Sequence, residues 1–256
     1  PMTITVIHTQ DVTPERMEER DGWAISEFRL PITGKTGSAT TVFHSIFRPG
    51  STHAKHLHDV SDEIAVYLSG KGVVGQGDSR AEVSGGHCRL MPKGSEHFFY
   101  NETEDEDARV IGFYMNAPSV AGTGYKFCGT ATPEDIAQPR DGLNDGILVH
   151  LQDLNFVSWK EAEVRAPIGS HNGSPNALLH ITLHPGKSIA VCQFSTAEAI
   201  YYIEAGEGKI TPEQDIHPDS FAFVPKGIAH DVQNTGESVL EMFLVLTGAG
   251  SLEEAV

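Results

Sequence analysis

The chain has 256 residues, enough for two compact domains or one large one, and its 39% hydrophobic content with 26 glycines and 14 prolines reads as a globular, turn-rich protein able to bury a core. A formal net charge of −17 argues against nucleic acid and anionic membrane surfaces as partners, since neither gains counterion release from such a surface. No stretch reaches the length of an apolar membrane span, no signal peptide is visible, and Cys88, Cys128 and Cys192 are too scattered for a disulfide framework or a thiolate clip, so a reducing, cytoplasmic location is expected.

Pro1 ahead of Met2 looks like the remnant of a cleaved tag, which makes Met2 the expected start. A short helical piece is expected at Pro14–Glu19. From there the chain is a succession of β-branched and aromatic runs between glycine, proline and asparagine punctuation: TTVFHSIF, EIAVYLSG, HFFYN and RVIGFYM in the first half. The acidic run ETEDED (102–107) falls between two of them and reads as a solvated loop. A stretch rich in Gly, Pro, Asp and Thr follows, with a second short helix expected at Pro133–Ala137. LLHITLH, AIYYIEAG, SFAFVPKG and LEMFLVL make the strands of the second half, and SLEEAV is expected to fray.

The halves repeat. PGSTHAKHLHDVSDEIAVYLSGKG (49–72) lies over PGKSIAVCQFSTAEAIYYIEAGEG (185–208), and MPKGSEHFFYN (91–101) over VPKGIAHDVQN (224–234). This predicts an N-terminal β-domain over 2–115, a connector over 116–147 and a C-terminal β-domain over 148–248.

Chemistry concentrates in the first copy. His56 and His58 are two apart on a strand, so both leave one face; Glu63 opens the next strand after the polar turn DVSD, and His97 opens HFFYN after the PKG turn. Three neutral imidazoles and a carboxylate facing one interior make a cage for one divalent transition metal, with positions left for water, substrate or oxygen. Such ligands suit iron, manganese or nickel first, with zinc and cobalt possible. Strand alternation aims Ala65, Tyr67 and Phe99 at the same interior as candidate pocket residues. His44, His53 and His87 fall off the ligand spacing and are expected on the surface or in packing. In the second copy the ligand positions hold Cys192, Phe194 and Ala199, leaving His230 alone, so that half is expected to be metal-free. Cys192 with His230 suggests a nucleophile and base, but no orienting third group is visible, and a buried thiol filling the old site is the expectation.

The spacing from Gly50 through His56, His58 and Glu63 to Gly70, then Gly86, Pro92, Gly94, His97 and Asn101, resembles the two signature motifs of the cupin superfamily at every defined position. The resemblance extends to both halves and implies an all-β fold of two tandem jelly-roll barrels, a bicupin. Cupins with three histidines and one glutamate include dioxygenases of the quercetinase and acireductone type, oxalate decarboxylases, sulfoniopropionate lyases, isomerases and an aminohydrolase. The first reading is a dioxygenase acting on a small enol, diketone or phenolic substrate, with Glu63 either the fourth ligand or the base that takes the substrate proton. A non-redox lyase, isomerase or hydrolase is the alternative, and a non-catalytic small-molecule binder the third reading. Bicupins resembling oxalate decarboxylase keep ligands in both halves, which this chain does not. A second half that keeps its strands and loses its ligands suggests packing against the first or in a homodimer.

Overall fold

The structure, a computed structural model, describes residues 3–16, 25–52 and 54–256. Pro1, Met2, His53 and part of the helix expected at Pro14–Glu19 lie outside that set. Among the described residues the regular structure is twenty-two strands in four sheets, with short 3-10 turns and two four-residue helices. The runs expected as strands form Thr41–Phe47, Glu63–Ser69, His97–Tyr100 and Ala108–Tyr114, then Ala177–Leu183, Glu198–Ala205, Ser220–Val224 and Leu240–Thr247.

The chain divides into two compact units, one of residues 13–34 and 40–150, the other of residues 1–12, 35–39 and 151–256. No single cut separates them. The segment read from sequence as a connector packs with the N-terminal barrel, and the first strand belongs with the C-terminal barrel. Backbone pairing is the reason. Thr5–His8 runs antiparallel to Ser220–Val224, with Thr5 opposite Phe223 and His8 opposite Ser220. Ile147–His150 runs antiparallel to His87–Met91, with Ile147 opposite Leu90 and His150 opposite His87. Each added strand thus covers the equivalent edge in the equivalent register, and each leads into a 3-10 turn carrying the sequence HTQD or HLQD.

In the N-terminal unit a six-stranded and a five-stranded sheet enclose a core of Phe28, Phe43, Phe47, Tyr67, Val74, Phe99 and Val110. The C-terminal unit has a seven-stranded and a four-stranded sheet around Leu179, Ile181, Phe194, Tyr201, Met242 and Leu244. The motif glycines and asparagines serve the backbone in both. Gly70 has φ +89°, and a Cβ there would meet the Ala108 Cα at 2.6 Å; Gly206 has φ +85°, and a Cβ there would meet the Val239 carbonyl at 2.4 Å. Asn101 donates to the carbonyls of Phe47 and Glu106, and Asn234 makes the matching pair to Leu183 and Ser238.

The helix expected at Pro133–Ala137 spans Pro133–Ile136, started by Pro133 and by a reciprocal cap between Thr132 and Asp135. The last residues do not fray as expected. Leu252–Ala255 is a helical turn capped by Ser251, its Ala255 is fully buried, and Glu254 accepts from the Ser170 hydroxyl at 2.6 Å and the Gly250 amide at 2.9 Å.

Candidate metal centre

His56 and His58 lie on Lys55–His58, where burial alternates residue by residue and both histidines take the inner face. That strand pairs with His97–Tyr100 at His56 opposite His97, and Glu63 opens the strand of the facing sheet. All four side chains are buried, and their donor atoms lie within 4.8 Å of one another. The Glu63 Oε1 is 3.3 Å from His58 Nε2 and 3.7 Å from His97 Nε2. Donors bound about 2.0–2.2 Å from one ion sit at comparable separations.

The Nδ1 atoms fix how the rings present themselves. His56 Nδ1 is 2.7 Å from the Ala54 carbonyl and His97 Nδ1 is 2.9 Å from the Ser95 carbonyl. A carbonyl only accepts, so both histidines carry their proton on Nδ1 and turn the Nε2 lone pair inward. His58 Nδ1 is 2.8 Å from the Thr123 hydroxyl, which donates its own proton to the Val120 carbonyl at 2.7 Å and therefore accepts from His58. The Nε2 atoms of His58 and His97 are buried without a hydrogen bond, despite the nearby carboxylate. Inward lone pairs beside a buried carboxylate repel one another and have lost their water unless a cation, either a proton on an imidazole or a metal ion, lies between them. A cation at their centre removes both penalties, so the residues fit a divalent ion.

Glu63 is ready for that role. Burial pushes its carboxyl up, but once either ring carries a proton on Nε2 the hydrogen bonds and charges from His58 and His97 outweigh burial and hold it well below the usual carboxylate range. Tyr114, opposite Glu63 in the ladder, has its ring centre 5.0 Å from that of His58; burial and then the charge of Glu63 push its phenol well above the ordinary value, so it stays protonated. Ala65, Tyr67 and Phe99 line a cavity of about 10 Å³ together with Glu63, His97 and Arg89. Of the off-spacing histidines, His44 is buried beside Arg109 Nη2 at 3.3 Å, and His87 packs edge-on against His150.

Tyr114, Thr123, Tyr125 and Arg89, all near the centre, were missed from the sequence. Thr123 and Tyr125 come from the segment read as a connector, whose strand Tyr125–Gly129 pairs with the ligand strand, Tyr125 opposite His58 and Phe127 opposite His56. The Tyr125 ring lies 5.3 Å from His56. Further along, Asp135 reaches Lys55 at 3.1 Å, and its carbonyl accepts from Arg80 Nε at 2.8 Å, tying the segment down. Nothing in spacing or composition signals Thr123. Arg89 was legible in principle, because alternation in HCRLM puts Arg89 and Met91 on the face opposite Cys88 and Leu90.

In the second barrel the equivalent centre is filled by protein. Cys192, Phe194 and Ala199 are buried at the ligand positions, and Tyr201 donates its hydroxyl proton to His230 Nε2 at 2.8 Å, since the Ile228 carbonyl fixes the other proton on Nδ1. Burial pushes the Cys192 thiol up to about 11, which leaves it no thiolate character at neutral pH. Elsewhere His180, Glu204 and Glu241 bring three donor atoms within 4.8 Å, but Arg165 sits 3.2 Å from His180 Nδ1; burial, then that charge, lower the imidazole to about 4. The guanidinium works against a cation there.

Fold and site together define a double-barrelled β-protein with a buried three-histidine, one-carboxylate centre in one barrel. Residues 43–114 and 179–250 each match the cupin domain, and the chain belongs to that family. Among curated proteins, oxalate oxidase GF-3.8 of Triticum aestivum is 30% identical over 95 residues, 34% of this chain and 42% of the relative, and oxalate oxidase 2 of Hordeum vulgare is 28% identical over the same share. The chain thus spans under half the length of the curated relatives it matches. Among solved structures, a single-substitution mutant of Bacillus subtilis oxalate decarboxylase superimposes with a TM-score of 0.74 at 14% identity, covering 96% of this chain and 77% of that one. The formate complex of Lactobacillus farciminis oxalate decarboxylase gives 0.74 at 14%, covering 96% and 86%. Another structure of the Bacillus subtilis enzyme, titled for its Mn(II) centres, gives 0.74 at 13%, covering 96% and 77%. At such identities the likeness is one of fold. No helix among the described residues is long and apolar enough to cross a membrane.

Proposed function

We propose that this chain is a metal-dependent cupin enzyme that holds one divalent transition metal through His56, His58, Glu63 and His97, and that it is a dioxygenase acting on a small enol, diketone or phenolic substrate. The observation that carries the metal site is the convergence of inward Nε2 lone pairs and an ionised, buried Glu63, an arrangement that is unfavourable without a cation. Such an ion, when bound, supplies Lewis acidity toward substrate oxygen and, if iron, manganese or nickel, one-electron chemistry with dioxygen. The protein's part is to hold and to exclude. The Ala54 and Ser95 carbonyls and the Thr123 hydroxyl hold the Nδ1–H of three imidazoles and so aim their Nε2 atoms inward. Tyr125 and the aromatic walls of Phe47 and Phe99 keep bulk water from the centre, which strengthens every charge interaction within it.

Glu63, held ionised between two imidazoles, suits a ligand better than a base, whereas Tyr114 carries a proton beside the same site. That proton favours a second reading in which the enzyme protonates or isomerises its substrate without oxygen, as a lyase, isomerase or hydrolase. Elemental analysis of the purified chain, beside a His56→Ala, His97→Ala double variant, tests the site: about one metal per chain, lost in the variant, is expected. Oxygen uptake with candidate substrates then separates the readings. Full turnover with zinc under anaerobic conditions rules out the dioxygenase, and no metal after reconstitution removes both.

A further inference from the structure

Next to the four ligand-type side chains, the N-terminal barrel encloses a positive charge that pairs with no carboxylate among the described residues. Arg89 is only 1% exposed. It stands opposite Ala65, as Met91 stands opposite Glu63, so its side chain enters the face that carries Glu63, Ala65 and Tyr67. The guanidinium meets only neutral acceptors: Nη2 donates to the Gly75 carbonyl at 2.8 Å and Gln76 Oε1 at 3.1 Å, and Nη1 to the Phe98 carbonyl at 3.3 Å and the Tyr67 hydroxyl at 3.4 Å. Nε is buried without a partner. A strand-tying role explains four of the five N–H groups. It explains neither the fifth nor the choice of a permanent charge for a buried position, where an unpaired ion loses its hydration for nothing in return.

What Arg89 and the ligand cage share is space. The cavity of about 10 Å³ has Arg89, Tyr67, Glu63 and His97 on its wall, and Phe47 and Phe99 among its apolar sides. That is room for about one water-sized group. An oxygen atom at the end of a small molecule fits it, and an aromatic ring does not. Electrostatics select the sign of that oxygen. A divalent ion held by three neutral imidazoles and Glu63, with Arg89 beside it, leaves two positive charges in a dry interior, which favours a small dianion.

We propose that Arg89 and Tyr67 form an anion subsite that receives a carboxylate oxygen of a small substrate whose other end reaches the His56, His58, Glu63 and His97 cage. The inference rests on the metal-enzyme reading above and narrows its substrate to small molecules that carry a carboxylate. Tyr67 fits the role: burial raises its phenol while Arg89 pulls the other way, and the protonated hydroxyl accepts from Arg89 with its own hydrogen left to donate. Fixed donors of this kind recognise oxyanions without reorganising.

The test uses chain reconstituted with Mn(II) and verified by elemental analysis, titrated calorimetrically with oxalate and with its neutral counterpart oxamide. Wild type is compared with Arg89→Met, Arg89→Lys and Tyr67→Phe. Chelation by the ion contributes equally across variants, so the comparison isolates the subsite. Arg89→Met should weaken oxalate at least about tenfold and oxamide less than about twofold, with Arg89→Lys in between, as loss of a charge-assisted contact requires. Tyr67→Phe should weaken oxalate several-fold at unchanged metal content, and it keeps the test open if Arg89→Met does not fold. Equal losses for the two probes, or no loss in either Arg89→Lys or Tyr67→Phe, overturn the subsite while leaving the metal centre standing. A wild-type chain that takes up no Mn(II) overturns the metal reading and this one with it.

Discussion

Thr123→Val removes one hydroxyl while keeping the shape of the side chain. In the native chain that hydroxyl donates to the Val120 carbonyl at 2.7 Å, which turns its lone pair to His58 Nδ1 at 2.8 Å, and Thr123 and His58 are both buried. In the variant, a His58 that still binds metal must leave its Nδ1–H without an acceptor, at a cost of about 1–3 kcal/mol for a buried unsatisfied donor. Without metal His58 escapes that cost by carrying its proton on Nε2, facing Glu63 Oε1 3.3 Å away. The penalty therefore falls on the metal-bound state. Metal affinity should drop about 10–100-fold, the usual effect of losing an outer partner of a ligand, each factor of ten being about 1.4 kcal/mol. Thr123→Ser restores the hydroxyl and should restore the affinity. Competition with a chromophoric chelator measures the affinity, and thermal unfolding of the metal-free chains should show little difference among the three. A Thr123→Val chain that binds metal as tightly as wild type would refute the tautomer argument. Equal losses in Ser and Val would assign the effect to packing of the methyl group.

Other predictions follow from the same geometry. In the metal-free chain the cation beside Glu63 is a proton on the His58 or His97 ring; it holds the folded-state pKa of Glu63 below its unfolded value of about 4.3, so the ionised carboxylate is stabilising above that pH and the contribution disappears as pH falls through the lowered folded value. Urea unfolding should show wild type more stable than Glu63→Gln above about pH 4.3 and the gap closing below it; a pH-independent gap contradicts the assignment. Deleting residues 1–12 uncovers the edge of Ser220–Val224, so hydrogen exchange should quicken in that strand while metal content is unchanged, whereas loss of metal would show that the first strand supports the other barrel. With iodoacetamide at about pH 8, Cys192 should stay unmodified, its thiolate fraction being about one in a thousand, while the partly exposed Cys128 reacts first; rapid labelling of Cys192 contradicts its packing.

What the sequence revealed and what it hid have a common cause. Strand alternation and the two-block repeat are local, so the strands, both barrels and the inward face shared by His56, His58, Glu63 and His97 follow from spacing within a few residues. Partners set by tertiary pairing do not. Thr123 reaches His58 across 65 positions, and the strand Thr5–His8 finds its neighbour more than 200 residues away, neither announced by a change of composition. Arg89 was hidden differently. A charged residue in a strand is ordinarily assigned to the solvent face, and only the burial of Cys88 and Leu90 on the opposite side shows that both faces of this strand are covered.

The two barrels show how narrow the difference between a site and a packed core can be. Both keep the positive-φ glycine, the asparagine that ties two carbonyls, and a histidine after the PKG turn whose Nδ1 is fixed by a carbonyl two residues earlier, Ser95 for His97 and Ile228 for His230. Both therefore present an inward Nε2 lone pair on the same frame. In the first barrel that lone pair meets other lone pairs and the Glu63 carboxylate; in the second it meets the proton of Tyr201. The Tyr201 proton satisfies at His230 what a cation would satisfy at His97, so the second barrel is electrically complete with side chains alone. At this histidine the difference lies in the side chains around it, because the carbonyl contact that aims the ring is the same in both barrels. It follows that the charge surplus of the first barrel, Arg89 included, is a property of that interior and not of the fold, and that interior is where a small anion would be recognised.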